Sequence, residues 1–282
     1  MKLKRQITLT GEEGKQLIAK AAAQHSKVRQ CLEQSKVLLI GGTTVSALSE
    51  ELGYGPMRIS GRIDASGTRT ALRHSLQEAH NLLIENGRAF NADDDIIAIA
   101  SALTNQDLVV IGANAMDTQG RVALAFASQA GDRRGLALQS AFMQGAYMLI
   151  LCGMSKLIPS VGAAMSCSDR TGIDLSMGAA IDLYNVYGPI ITEIDAFKIL
   201  FDVVAVAIAG DGFGSGAGTR TYVLHGADHS VRDAWELALS LKGARTSGVE
   251  SSLAMCHGGC VNCCRHVGCI YKLRTEQSEN MK

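Results

Sequence analysis

Three short stretches, "KVLLIGG" (36–42), "DLVVIGAN" (107–114) and "YMLILCG" (147–153), are apolar almost throughout, and each ends at glycine or asparagine. A strand with one face in water alternates apolar and polar side chains, so an unbroken apolar run belongs to a strand covered on both faces. "HNLLIENG" (80–87) reads as a further strand of the set. Between these runs the apolar spacing becomes helical. Residues 10–33 predict one helix, opened by a capping box of Thr10 and Glu13, with Leu17, Ile18, Ala21, Val28 and Leu32 on one face. "TTVSALSEELG" predicts a helix stopped by Gly53, and "DIIAIASAL" and "ALQSAFMQGA" predict two more. Strands alternating with helices predict an α/β fold: a Rossmann-like, mostly parallel sheet with helices on both faces. Such sheets bind ligands at the carboxyl ends of their strands, where the glycine-rich turns of this chain fall.

After about residue 160 the pattern changes. "AIDLYNVYG" reads as a strand, "TEIDAFKILF" as a helix capped by Thr192, and "DVVAVAIAG" and "TRTYVLHG" as two strands around a glycine-rich loop. "SVRDAWELALSLKG" predicts a helix with Ser230 and Asp233 at its start and Gly243 at its end. That β-α-β-β-α order predicts a small ferredoxin-like α+β unit. The expected division is a core over 1–160, the small unit over 161–245 and a cysteine-rich segment over 246–282.

Charge narrows the partners. Lysine plus arginine is 27 and aspartate plus glutamate 27, so there is no basic field to hold a nucleic-acid backbone and no polybasic run for a membrane surface. Only "MKLKR" is locally basic, and it reads as a short solvated N-terminus. Polar "RQITLTGEEGK" follows it in place of a signal-peptide core, and "AYMLILC" and "VVAVAIAG" are too short to span a bilayer. A cytoplasmic location is the expectation, and eight cysteines there do not suggest a disulfide framework.

Three polar constellations stand out. In "IGGTTVSALSEEL" (40–52), Gly41, Gly42, Thr43 and Thr44 form a glycine turn at a helix N-terminus, read either as an anion cradle or as an ordinary βα turn. It has neither the Walker lysine nor the three-glycine fingerprint, so no nicotinamide or flavin is expected. In "GRIDASGTRTAL" (61–72), Arg62, Ser66, Thr68 and Arg69 suit a phosphate or carboxylate, and Asp64 a general base, in a loop that opens a helix. The other reading is a salt-bridged loop. In "VVIGANAMDTQGRV" (109–122), Gly112, Asn114 and Asp117 lie at a strand's carboxyl end, and "DTQG" turns the chain into a returning strand. "GDGFGSGAG" (210–218) reads as a phosphate-wrapping loop or, preferably, as a hairpin connection. His74, His80, His225 and His229 read as structural or capping residues.

"LIGGTTVSALSEEL", "VVIGANAMDTQGRVA" and "GMSKLIPS" together resemble the isomerase and CoA-transferase-like superfamily, over roughly residues 36–160. That superfamily includes ribose-5-phosphate isomerase, glucosamine-6-phosphate deaminase and the CoA-transferases. The resemblance implies ligand over residues 41–44 and 112–117, with Lys156 as a further basic group. "IENG" (84–87) resembles the surroundings of a CoA-transferase nucleophile, which implies a covalent role for Glu85; Asn86-Gly87 is equally good turn chemistry. The expected function is binding of a small anionic metabolite, phosphorylated or CoA-linked, with isomerisation or acyl transfer. A non-catalytic metabolite-sensing or metal- or redox-linked binding protein is the alternative, and self-association into a homo-oligomer is expected.

"CHGGCVNCCRHVGC" (256–269) adds a candidate metal site: Cys256, Cys260, Cys263, Cys264 and Cys269, with His257 and His266. Converging thiolates hold zinc or an iron–sulfur cluster, and both stay open, as do redox-active thiols and an inert tail.

Overall fold

A computed structural model describes residues 2–70, 78–128, 132–212, 218–254 and 266–272. The three apolar runs become β2 (Val37–Ile40), β7 (Leu108–Gly112) and β10 (Tyr147–Leu151). They pair in parallel, with Ile40 opposite Ile111 and Ile111 opposite Ile150. The chain is mixed α/β, and β12 (Ile190–Ile191), β5 (Asn81–Glu85) and β6 (Arg88–Asn91) complete a mixed six-stranded sheet ordered β12-β10-β7-β2-β5-β6.

Both faces of that sheet are covered, which accounts for the missing alternation. Val37, Leu39, Val110 and Leu149 join a core with α1 (Gly11–Gln24), α2 (Ser26–Gln34), α3 (Thr43–Glu51) and α7 (Glu193–Phe201). Leu38, Ile40, Val109 and Ile150 face the opposite way, toward α4 (Ile96–Ser101) and α5 (Asp132–Met143). Burying one such side chain stabilises the fold by about 1.5–3 kcal/mol, so a charge at any of these positions would destroy the sheet.

Several expectations change. The helix over 10–33 keeps its Thr10–Glu13 capping box but breaks at His25, whose ψ of 130° is extended. "HNLLIENG" is a strand, but β5 runs antiparallel to β2 and returns as β6 through Asn86 and Gly87, at φ 52° and 72°. Two positive φ values define the tight turn that favours Asn-Gly. Residues 61–70 are not a loop but a hairpin of β3 (Gly61–Asp64) and β4 (Gly67–Thr70), and the residues directly after them, where the expected helix would begin, lie outside the described residues. The basic N-terminus is not a solvated tail but β1 (Lys2–Leu9), paired antiparallel along its length with β14 (Thr219–Ala227). α8 (Asp228–Ser240) begins ahead of Ser230, and no side chain caps its first turn.

The sheets also cross the expected division of the chain. The small sheet is β1-β14-β13, where β13 is Val204–Asp211, so it takes one strand from the N-terminus. β12 belongs to the large sheet, and β11 (Asp182–Val186) pairs with β9 (Val122–Phe126) beside β8 (Ala115–Met116). Thus the strands of 161–245 do not assemble into one ferredoxin-like unit. Tyr222 and Leu224 share a core with Leu39 and Val110, so packing welds the two sheets together. No helix among the described residues is long and apolar enough to cross a membrane.

Candidate functional site

The carboxyl ends of β2, β7, β10 and β12 share one edge of the large sheet. At the end of β2 the amide of Gly41 donates to Asn81 Oδ1 at 3.2 Å. A Cβ on Gly41 would stand 2.3 Å from both Cε1 and the carbonyl oxygen of His80, so glycine is required there by contact rather than by φ. Gly42 then caps α3 without a side-chain bond, and the Thr44 hydroxyl, 2% exposed, has no hydrogen-bond partner among the described residues. This is the N-terminus of a nine-residue helix with its dipole aimed at the sheet edge.

His80, 5% exposed, organises the neighbourhood. Its Nδ1 lies 2.6 Å from the Arg58 carbonyl, which can only accept, so that nitrogen carries the proton. Nε2 then accepts from Arg134 at 3.0 Å. Burial, reinforced by the Arg134 charge, pushes the imidazole down to about 3, so it is neutral at any ordinary pH. Asp93 receives the His80 and Asn81 amides and Arg58. Burial opposes its charge, yet these donors together hold its carboxyl below the usual range. The reading of His80 as a satisfied structural histidine agrees with this geometry, and it brings Arg134 to the glycine turn.

At the other end of the same edge stand Cys152, Lys156 and Glu193. Glu193, 2% exposed, is the first residue of α7, and its Oε2 accepts from the Met154 amide at 2.8 Å. Two glycines make room for it: a Cβ on Gly14 or Gly153 would come within 2.4 or 3.1 Å of Oε1. Burial raises its pKa. Lys156 donates to the Ala113 carbonyl, so its ammonium crosses from the end of β10 to the end of β7. Burial lowers its pKa, against the opposing pull of Cys152 and Glu193. Both groups are therefore displaced toward their neutral forms, Lys156 downward and Glu193 upward, each chiefly by burial. The Cys152 thiol, pushed up to about 11 by burial, is an inert neighbour.

The other candidates are placed differently. Asp64 accepts the Ser66 amide and hydroxyl and Arg62 Nε, and the Ser66 hydroxyl foremost holds its carboxyl below the usual range. A carboxylate held ionised in this way is a poor general base. Arg62 donates to the carbonyls of Leu253 and Ala254. Arg69 reaches Ser66 Oγ at 3.3 Å and stacks 3.5 Å above the Tyr271 ring. The backbone of Thr68 bridges Met177 and Ala179. The hairpin residues thus form the salt-bridged loop of the second reading, and they clamp residues 253–254 and 271.

Asn114 Oδ1 accepts the Ala125 amide at 3.0 Å, and Asp117 accepts the amides of Gln119, Arg121 and Val161. Both carboxamide and carboxylate are thereby spent on shaping loops. Gly112 ends β7, and a Cβ there would meet nothing closer than 3.9 Å. Glu85 sits beyond Ile84, which pairs with Val37 at the amino end of β2. It therefore lies at the edge opposite the glycine turn, 3.5 Å from Lys36.

Cys256, His257, Cys260, Cys263 and Cys264 fall outside the described residues, as does His74. His266 approaches Thr70 Oγ1 at 3.5 Å, and Cys269 is buried beside Ser176. Among the described residues no three His, Cys, Asp or Glu side chains group as a metal site.

Sequence reading missed Glu193 and Arg134. Glu193 stands one residue after the Thr192 cap, where an acid is explained by the helix dipole alone. Its glycine neighbours are far away in sequence, so no local pattern marks it.

No protein-family model matches the chain, and no curated protein does.

Proposed function

We propose that the chain is an enzyme that seats a small anionic metabolite, phosphorylated or CoA-linked, on the carboxyl edge of β2, β7, β10 and β12 and isomerises it by proton transfer. The observation that carries this reading is geometric: half-buried Lys156 follows the end of β10 and sets its amine on the Ala113 carbonyl, while buried Glu193 accepts the Met154 amide two residues before the lysine. Glu193 is the proton-handling residue and Lys156 its partner. Residues 41–44, with Arg134, receive the anion. The sheet is taken as Rossmann-like and akin to the isomerase and CoA-transferase-like superfamily. Four parallel strands, helices on both faces and a glycine turn opening α3 support that assignment. Acyl transfer through Glu85 loses its support, since that carboxylate faces the other end of the sheet. A thiolate metal site over 256–269, self-association and a cytoplasmic location belong to the same reading and rest on the sequence.

The test is a thermal-shift screen of sugar phosphates, organic acids and CoA esters, followed by NMR of each stabilising compound with protein in D2O. Enzyme-dependent exchange of a carbon-bound hydrogen, abolished in E193Q while the thermal shift remains, is the expected result. Stabilisation without exchange would leave a metabolite sensor, and no stabilisation by any compound would remove the proposal.

A further inference from the structure

Proton transfer needs only one of the two groups, and the position of Lys156 is more specific than a charge partner requires. Its side chain leaves the end of β10 and delivers the amine to the Ala113 carbonyl at the end of β7. β7 is the strand next to β2, whose end carries the Gly41–Gly42 turn. The amine therefore stands about one strand spacing, ~5 Å, to the side of the anion seat. Glu193 lies on its far side, held by the Met154 amide and by two glycines that leave its Oε1 uncrowded. The sequence of groups across the edge is thus anion seat, amine, carboxylic acid.

We propose that Lys156 captures a carbonyl: it forms an imine with a short anionic aldehyde or ketone seated on the glycine turn of β2, and Glu193 protonates the departing hydroxyl. This inference rests on the site assigned under Proposed function and names its substrate class. The lysine enters as the neutral amine, having released its proton to solvent. Its nitrogen lone pair attacks the carbonyl carbon, the C=O π pair moves to oxygen, and a proton shift from nitrogen to oxygen gives the neutral carbinolamine. The nitrogen lone pair then expels the hydroxyl, which takes the Glu193 proton and leaves as water. The product is the protonated imine beside a Glu193 carboxylate. No electrons are gained or lost, and hydrolysis by the reverse path restores both residues. The side-by-side spacing calls for roughly three to four chain atoms between the carbonyl carbon and the anionic centre, counting extended bonds across one strand spacing, as in glyceraldehyde 3-phosphate; glyoxylate and pyruvate are controls too short to span it.

The experiment incubates the full chain with glyoxylate, pyruvate or glyceraldehyde 3-phosphate and cyanoborohydride, then maps the reduced adduct by peptide mass spectrometry. The expected result is one dominant adduct on Lys156 with the phosphorylated probe, faster by tenfold or more than on any other lysine. K156R and K156M should both abolish that adduct while keeping the thermal unfolding of the parent, and E193Q should slow its formation by about tenfold. Adducts spread over surface lysines without enrichment at Lys156 overturn the inference. A thermal-shift measurement with glyceraldehyde 3-phosphate, in the absence of reductant, separates the two failures. Stabilisation without a Lys156 adduct removes the imine and keeps the binding site. Absence of both removes the site as well.

Discussion

Acidification should unfold this protein earlier than a chain without His80 would allow. In the folded state the His80 ring is pinned neutral between the Arg58 carbonyl and the Arg134 guanidinium. Its pKa falls from 6.5 to about 3, burial being the main cause. The unfolded chain therefore binds the proton first as pH drops below 6.5, and stability falls through that window toward the folded value. Above 6.5 both states hold neutral imidazole, and no His80 contribution to the pH dependence remains. The slope is about 1.4 kcal/mol per pH unit, so a drop from pH 6.5 to 4.5 removes about 3 kcal/mol. Against a total stability of about 5–15 kcal/mol, that is a large fraction.

The perturbation is H80Q, which retains an acceptor for Arg134 but cannot titrate. It loses the bond to the Arg58 carbonyl, at a cost of about 1–3 kcal/mol when pH is neutral. Urea unfolding followed by circular dichroism at several pH values from 7.5 to about 4.5 gives the two stabilities. Titration of carboxylates away from the site is common to both proteins and cancels in the difference, and Asp93, held below the usual carboxylate range, stays ionised in the fold across this window. The variant should be the less stable at pH 7.5, and the gap should narrow below 6.5 until it closes or reverses. Parallel pH dependences would refute the reasoning, because they would mean that the ring protonates in place without disturbing Arg134.

G41A should destabilise by about 1–3 kcal/mol or more, since its methyl would collide with the His80 ring and carbonyl; G112A, with open space around it, should stay within about 0.5 kcal/mol in the same thermal melts. D64N should leave turnover and ligand-induced stabilisation intact while speeding limited proteolysis after residue 253, because Asp64 positions the Arg62 that holds the Leu253 and Ala254 carbonyls. Lost turnover in D64N with unchanged proteolysis would return Asp64 to the catalytic role.

The parts of the fold that were legible are those whose cause is local. The runs at 36–42, 107–114 and 147–153 are apolar because two-sided burial acts on every residue of the strand itself. The capping boxes at Thr10 and Thr192 span a single turn, and both are present. Strand direction is not local in this sense. β5 is apolar in sequence like its parallel neighbours although it is only partly buried, and Asn86-Gly87 is the local signal that the chain returns antiparallel. β1 finds its partner at the far end of the chain, so nothing near "MKLKR" could distinguish a strand from a tail. The site divides in the same way. The glycine turn at 41–42 was readable from its own residues, whereas the polar hairpin at 62–69 looked like a ligand loop because satisfied and unsatisfied charges are spelled alike.

Glu193 separates structural need from chemical use. A structural acceptor for the Met154 amide could equally be glutamine, whose Oε1 would accept the same hydrogen bond without an ionisable group in a buried site. Burying a carboxyl is costly unless it is paired, and here two glycine positions, each weaker than alanine in a helix or loop, are given over to accommodating it. If the group is there for its proton, E193Q removes a liability: the variant should melt at the parent temperature or above, with exchange of substrate hydrogen lost. If Glu193 serves mainly as the charge partner of Lys156, E193Q leaves a half-buried ammonium without its counter-charge and should lower the melting temperature. Differential scanning calorimetry of parent, E193Q and the double variant E193Q/K156M decides between them. A destabilised E193Q that is rescued by K156M would show an ion pair holding β10 to α7. An undisturbed E193Q with no exchange activity would show a carboxyl kept for chemistry at the expense of stability.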